Sequence, residues 1–208
     1  MLMIRETIVS TVSAAGRVHL APLGIIAEGD GWIIAPFYPS TTLSNLREVP
    51  FAAANFTDDV RVFAGCLTGR TNWPTSPCDE IPVPRLANTL AHAELAVSHV
   101  SEDAERPRFH CRVLRGSAHK PFQGFNRAQA AVIEAAILVS RLRLLPRDKI
   151  ESEIAYLQNA VSKTASSAEE EAWSWLVEAI NTFYAGQKPE KLAPGRQEHP
   201  PAPGNRNQ

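Results

Sequence analysis

Apolar and polar positions alternate weakly over residues 3–12, in a run rich in Ile, Val and Thr, which predicts a first strand. Ala14, Ala15 and Gly16 turn it, and residues 18–27 predict a second strand in which Pro22 implies an edge position or a bulge. The tetrapeptide Glu28-Gly29-Asp30-Gly31 reads as a hairpin loop, because glycine reaches positive φ cheaply, and residues 32–36 return antiparallel. A short helix follows with Leu43, Leu46 and Val49 on one side; Ser40 or Thr41 suits its N-cap, and Pro50 forbids its continuation. Residues 51–56 (FAAANF) predict a strand of small side chains that would let a planar ligand approach the backbone. Thr57 is placed to cap the next helix, Asp58 and Asp59 suit its positive end, and Gly69 ends it. Residues 70–84 are polar with four prolines and read as a long surface loop or a lid. Residues 90–100 and 108–114 predict a long hairpin across the charged turn 101–106.

From Asn126 the period changes. Residues 126–144 are strongly helical, with Val132, Ile133, Ala136, Ile137 and Val139 making a broad apolar face, and Pro146 stops them. Residues 147–164 and 168–184 predict two more amphipathic helices, the second burying Trp173, Trp175, Leu176, Ile180 and Phe183. Several antiparallel strands with short helical insertions point to a barrel rather than a parallel sheet, in a mainly β chain with α (α+β). The expected organisation is a barrel over residues 1–124, a helical region over 125–186 and a disordered tail over 187–208, which has five prolines and little to bury. No internal repeat is visible.

Composition changes this picture little. The 208 residues are 44% hydrophobic and 21% charged, as in ordinary globular proteins, and a net charge of −1 offers no basic field for nucleic acid. No apolar run approaches the roughly 18 residues of a membrane span, and the first 17 residues resemble neither a signal nor a transit peptide. Cys66, Cys78 and Cys111 are odd in number and lack a CxxC pattern, which argues against a disulfide framework or zinc site and for a reducing cytoplasm. No metal site is expected on this reading.

The candidate chemistry gathers in residues 35–69. An apolar strand breaks at Pro36 and Pro39 into Ser40, Thr41 and Thr42, with Asn45 one turn on. Helix N-termini close to strand ends offer free N–H groups to an oxyanion or phosphate, and hydroxyls add bonds that need no net charge. The plain alternative is a helix cap with a polar turn. Asn55 and Thr57, flanking Phe56 at a strand end, are either ligand groups or further caps. Arg127, Glu134 and Arg141 recur at seven-residue spacing and form one stripe, either a solvated face or, at Asn126-Arg127 on the helix start, a phosphate partner. Arg17 and His19 fall across from the hydroxyl cluster if the first hairpin pairs as read. There is no Ser/His/Asp ordering, HExxH, P-loop or GxGxxG, and His110-Cys111 is no dyad because adjacent strand residues face opposite ways. No catalytic residue is singled out.

The order "strand, Pro, Ser-Thr-Thr, Asn-Leu, then Phe51-x-x-x-Asn55-x-Thr57-Asp58-Asp59", followed later by Phe125-Asn126-Arg127 and an alanine-rich helix ending Ser140-Arg141-Leu142, resembles the FMN-binding split-barrel flavoproteins. Within them it is most similar to the DUF447 family of methanogenic archaea and methylotrophic bacteria. The resemblance covers residues 9–144 and implies an FMN-binding split β-barrel with a C-terminal helical extension. FMN is the implied cofactor, with Ser40, Thr41, Thr42, Asn45, Asn55, Phe56, Thr57, Asn126 and Arg127 as its binding residues. It implies a homodimer with FMN near the subunit interface, and no nucleic acid or membrane partner. The implied function is a flavin-reductase-like oxidoreductase of unknown substrate and electron donor, linked by association to tetrahydromethanopterin one-carbon metabolism. The alternatives are a non-catalytic module binding FMN or another phosphorylated ligand, and an assembly protein that docks through its helical end.

Overall fold

The computed structural model describes residues 3–186; the expected tail lies outside them. In chain order the elements are β1 (Ile4–Val12), β2 (Val18–Glu28), β3 (Gly31–Ile34), α1 (Thr41–Glu48), β4 (Phe51–Phe56), α2 (Val60–Leu67), β5 (Thr75–Ser76), β6 (Arg85–Leu86), β7 (Ala91–Ser101), β8 (Arg108–Ala118), α3 (Arg127–Ser140), α4 (Arg147–Thr164) and α5 (Ser167–Gly186). Six antiparallel strands close a barrel in the order β1-β2-β3-β8-β7-β4, with β4 returning to β1. Because β3 meets only residues 26–28 of β2, the rest of β2 pairs with β1 alone, and Pro22 sits in that one-sided stretch, opposite Ile8.

Period-two alternation decides what fills the barrel. Val9, Ile25, Ile34, Ala52, Ala54, Leu95 and Phe109 point inward, and α1 adds Leu43 and Leu46 to the same core. On the outside, Ile8 and Leu20 are covered by Val62 and Phe63 of α2. Gly31 closes the β2–β3 hairpin against β8, where a Cβ would run into the carbonyl oxygen of Cys111. Backbone cannot step aside as a side chain can. Gly31→Ala is therefore expected to lower the unfolding free energy by about 1–3 kcal/mol, readable in a denaturant titration.

The proline-rich segment expected as a surface loop or lid is instead a strap on the outer face of β4 and β7. Ile81 and Val83 bury themselves against Val12 and Ala53, and Leu86 joins the α2 contact. The space left by the small residues of β4 is thus filled by the protein's own side chains. Two buried side chains hold the strap: Asn55 Oδ1 accepts the Leu86 N–H at 2.7 Å, and the Glu94 carboxylate accepts the N–H groups of Asp79 and Glu80 at 3.0 and 2.7 Å.

Helices α3 and α5 pack on α2, sharing a core of Val60, Ala64, Ala128, Ala131, Val132, Ala135, Trp173 and Leu176, and α4 packs on α3. The expected helix through residue 144 ends at Ser140, because Leu142 turns back to pack with Ile150 and Ile180. Among the described residues no helix is long and apolar enough to cross a membrane.

Candidate functional site

Ser40 is extended (φ −153°, ψ 156°) and its Oγ accepts the Leu43 N–H at 3.3 Å, so it is the N-cap of α1. The Thr41 and Thr42 N–H groups precede the first intrahelical donor, Ser44, whose N–H bonds the Ser40 carbonyl at 3.1 Å. Here Ser13, Arg17, Pro39, Ser40, Thr41, Ser44, Asn45 and Glu48 line an open groove of about 460 Å³. The β1–β2 turn thus brings a guanidinium across from the hydroxyl cluster, as pairing of the first hairpin requires. Glu48 braces the far end by accepting the Ala14 N–H at 3.0 Å. Asn45 is buried and donates from Nδ2 to Thr11 Oγ1 at 3.0 Å, which pins α1 to the barrel. Thr42 is also buried and does not line the groove. His19 pairs with Thr11 across the β1–β2 ladder, and partial burial lowers its pKa, favouring the neutral ring.

The second candidate group is placed differently. Asn55 is fully buried beneath the strap: Nδ2 reaches the carbonyl of Ile8 at 2.8 Å and Ser10 Oγ at 2.9 Å, while Oδ1 holds Leu86. Its amide has no bond to spare in this arrangement. Phe56 is half-buried, with its ring 5.9 Å from that of Trp32. The residue that caps α2 is Asp59, not Thr57; the Thr57 hydroxyl accepts the Asp59 N–H at 3.1 Å and donates to the Asn88 carbonyl at 3.2 Å. Burial pushes the Asp59 carboxyl up, but bonds from Arg61 and Asn88 outweigh it and hold the pKa below the ordinary range. A depressed folded pKa contributes stability above the unfolded value of about 3.9, lost as pH falls through the folded value. Asp59→Asn should therefore be less stable than wild type at neutral pH, with the gap narrowing below about pH 4 in urea midpoints.

Asn126 caps α3, accepting the Ala128 and Gln129 N–H groups at 2.7 and 3.3 Å and donating to the Thr164 carbonyl at 3.0 Å. It joins the start of α3 to the end of α4 and leaves Arg127 exposed beside it. Glu134 and Arg141 face a groove between α3 and α4 with Lys149 and Glu153. The nine candidates therefore fall into an α1 group, a β4 end and an α3 start, rather than one cluster.

Sequence reasoning missed a third polar centre. His92 and Glu94 lie two residues apart on the outer face of β7, and the strap brings Cys78 over them. The only sequence signal was the His-x-Glu spacing on a strand, which puts both side chains on one face.

No curated protein matches the chain. Among solved structures, an FMN-bound protein of Methanosarcina mazei, itself of the DUF447 family, superposes with a TM-score of 0.75 at 23% identity, covering 85% of this chain and 94% of that one. An FMN-binding protein from Thermus thermophilus with bound p-hydroxybenzaldehyde gives 0.50 at 16% identity over 59% and 77% of the two chains. Nitrilotriacetate monooxygenase component B from Mycobacterium thermoresistibile gives 0.50 at 15% over 58% and 73%. At such identities the likeness is one of fold, the split barrel. The family description "Protein of unknown function (DUF447) N-terminal domain" matches residues 5–120, and "Protein of unknown function (DUF447)" matches residues 126–178: the chain belongs to the DUF447 family.

Proposed function

We propose that this protein is an FMN-binding flavoprotein that holds the phosphate end of the cofactor in the groove between Arg17 and α1. One observation carries the reading. Arg17, Ser13, Ser40, Thr41 and Ser44 line one open groove at the start of α1. They do so in a fold shared with an FMN-bound member of the same family. Arg17 offers a forked, charged donor, Thr41 a hydroxyl and two amides the helix dipole, which together suit a phosphate dianion. Asn45 serves by fixing α1 on the barrel, and Thr42 is buried in the first turn of the same helix. Phe56, Thr57, Asn126 and Arg127 stand outside this groove, so on this reading they can touch only parts of the cofactor beyond the phosphate.

The redox chemistry would be supplied by the isoalloxazine ring of bound FMN, and the protein would supply position and polarity. We read the activity as a flavin-reductase-like oxidoreduction, and tetrahydromethanopterin-linked one-carbon metabolism nominates the first acceptors to try. Phe37 and Tyr38 stand exposed just before Pro39 and Ser40. They supply apolar surface for a second copy at the groove mouth, which supports a homodimer with FMN near its interface. Free Cys66, Cys78 and Cys111 suit a cytoplasmic setting.

The test is reconstitution with FMN followed by anaerobic addition of NADH or NADPH. Bleaching of the bound flavin, reversed by an acceptor, is the expected result. Uptake without bleaching by either donor would support the binding module instead, and failure to take up FMN would refute the flavoprotein reading.

A further inference from the structure

The strap and β7 bring three metal-ligating side chains of different chemistry together, well apart in sequence from the groove residues. One donor atom from each of Cys78, His92 and Glu94 lies within 4.8 Å of the other two. His92 is 4% exposed and Glu94 0%, while Cys78 is half-buried and leaves an approach from solvent. The ring of His92 is oriented by His119, whose Nε2 lies 2.9 Å from its Nδ1 with the two rings stacked. That leaves Nε2 as the nitrogen facing Glu94, at 3.3 Å from Oε1. Both carboxylate oxygens are aimed by backbone N–H groups, those of Asp79 and Glu80. The nitrogen and oxygen donors thus have outer partners that fix their direction, as metal-binding side chains do.

A hydrogen-bonded chain Glu94–His92–His119 accounts for part of this, since one proton on His92 Nε2 satisfies the carboxylate. It gives the neighbouring thiol no role. A divalent cation in place of that proton joins sulfur, nitrogen and oxygen, and it neutralises the two negative charges that a thiolate and a carboxylate bring to a buried place. We propose that Cys78, His92 and Glu94 bind a zinc-type transition-metal ion with a fourth position open to water. The mixed S, N, O donor set favours zinc over magnesium or calcium, which take oxygen. The ion ties the strap to β7 and stabilises the fold by mass action.

The test uses the full chain stripped with EDTA and titrated with Zn²⁺, and with Co²⁺ as an optical probe. One equivalent should bind, raise the melting temperature, and with Co²⁺ give a sulfur-to-metal charge-transfer band with tetrahedral visible absorption. Cys78→Ser should remove that band and weaken binding by more than about 100-fold, His119→Ala by about 10–100-fold, and Cys66→Ser should change neither. A second readout does not depend on variants: Zn²⁺ should protect Cys78 from alkylation, mapped on its peptide. Absence of saturable uptake at one equivalent, an unchanged band in Cys78→Ser, or unaltered alkylation of Cys78 would overturn the proposal; uptake displaced only by washing would mark surface binding and also overturn it.

Discussion

Glu94→Ala is expected to lower the unfolding free energy by about 3–5 kcal/mol in metal-free buffer. Glu94 is fully buried, and its two oxygens carry the N–H groups of Asp79 and Glu80 as well as the bond to His92 Nε2. Alanine would leave those donors without their acceptors beneath the strap, and would open a void beside Ala53 of the neighbouring strand. The strap would then be held by Asn55 and by the apolar contacts of Ile81, Val83 and Leu86. Glu94→Gln keeps the volume and one acceptor but turns an amide NH₂ toward a backbone N–H, so about 2–3 kcal/mol should go. Denaturant titration reads both, and limited proteolysis should cut the alanine variant first within residues 73–84. A loss under about 1 kcal/mol for the alanine variant would mean that apolar packing alone holds the strap.

Arg17→Ala is expected to weaken FMN binding about 10–100-fold while leaving riboflavin binding unchanged, since a charge-assisted bidentate bond contributes about 1.5–3 kcal/mol. Arg17 is exposed on the β1–β2 turn, so the variant should fold normally. Thr41→Val should lose roughly fivefold in FMN affinity for one neutral bond of about 1 kcal/mol. Thr42→Val makes the informative contrast: the residue is buried and does not line the groove, so its effect should fall on stability rather than on affinity. Flavin fluorescence quenching measures the affinities, and thermal unfolding the stabilities. Equal losses for FMN and riboflavin in Arg17→Ala would place that arginine away from the phosphate.

The strands and the α1 cap were legible because each is encoded locally. Alternation set β1, β2, β7 and β8 to within a few residues, and Ser40 after two prolines marked a helix start. Pairing of the first hairpin was enough to bring Arg17 to the hydroxyl cluster. The strap was not legible, because its polar, proline-rich pattern matches a solvated loop. Only the tertiary structure shows Ile81 and Val83 meeting the outer face of β4. The same segment changes the meaning of Asn55, whose strand-end amide is open in the sequence and closed in the fold by Leu86. Thr57 and Asp59 are both capping residues two apart, and the choice went to the carboxylate that Arg61 could also pair with. Cys78, His92 and Glu94 follow no metal-binding spacing, so the lack of CxxC argued against a zinc site. The cluster exists only because the strap folds back across β7.

The central claim is that the groove grips a phosphate, and the difference in affinity between FMN and riboflavin tests it most directly. The two ligands share the isoalloxazine ring and ribityl chain and differ only at the phosphate. Parallel fluorescence titrations of the wild-type protein should give FMN at least about tenfold tighter, with the advantage shrinking as salt screens Arg17. Equal affinities at low salt would contradict the phosphate cradle and leave the groove between Arg17 and α1 without its assigned ligand.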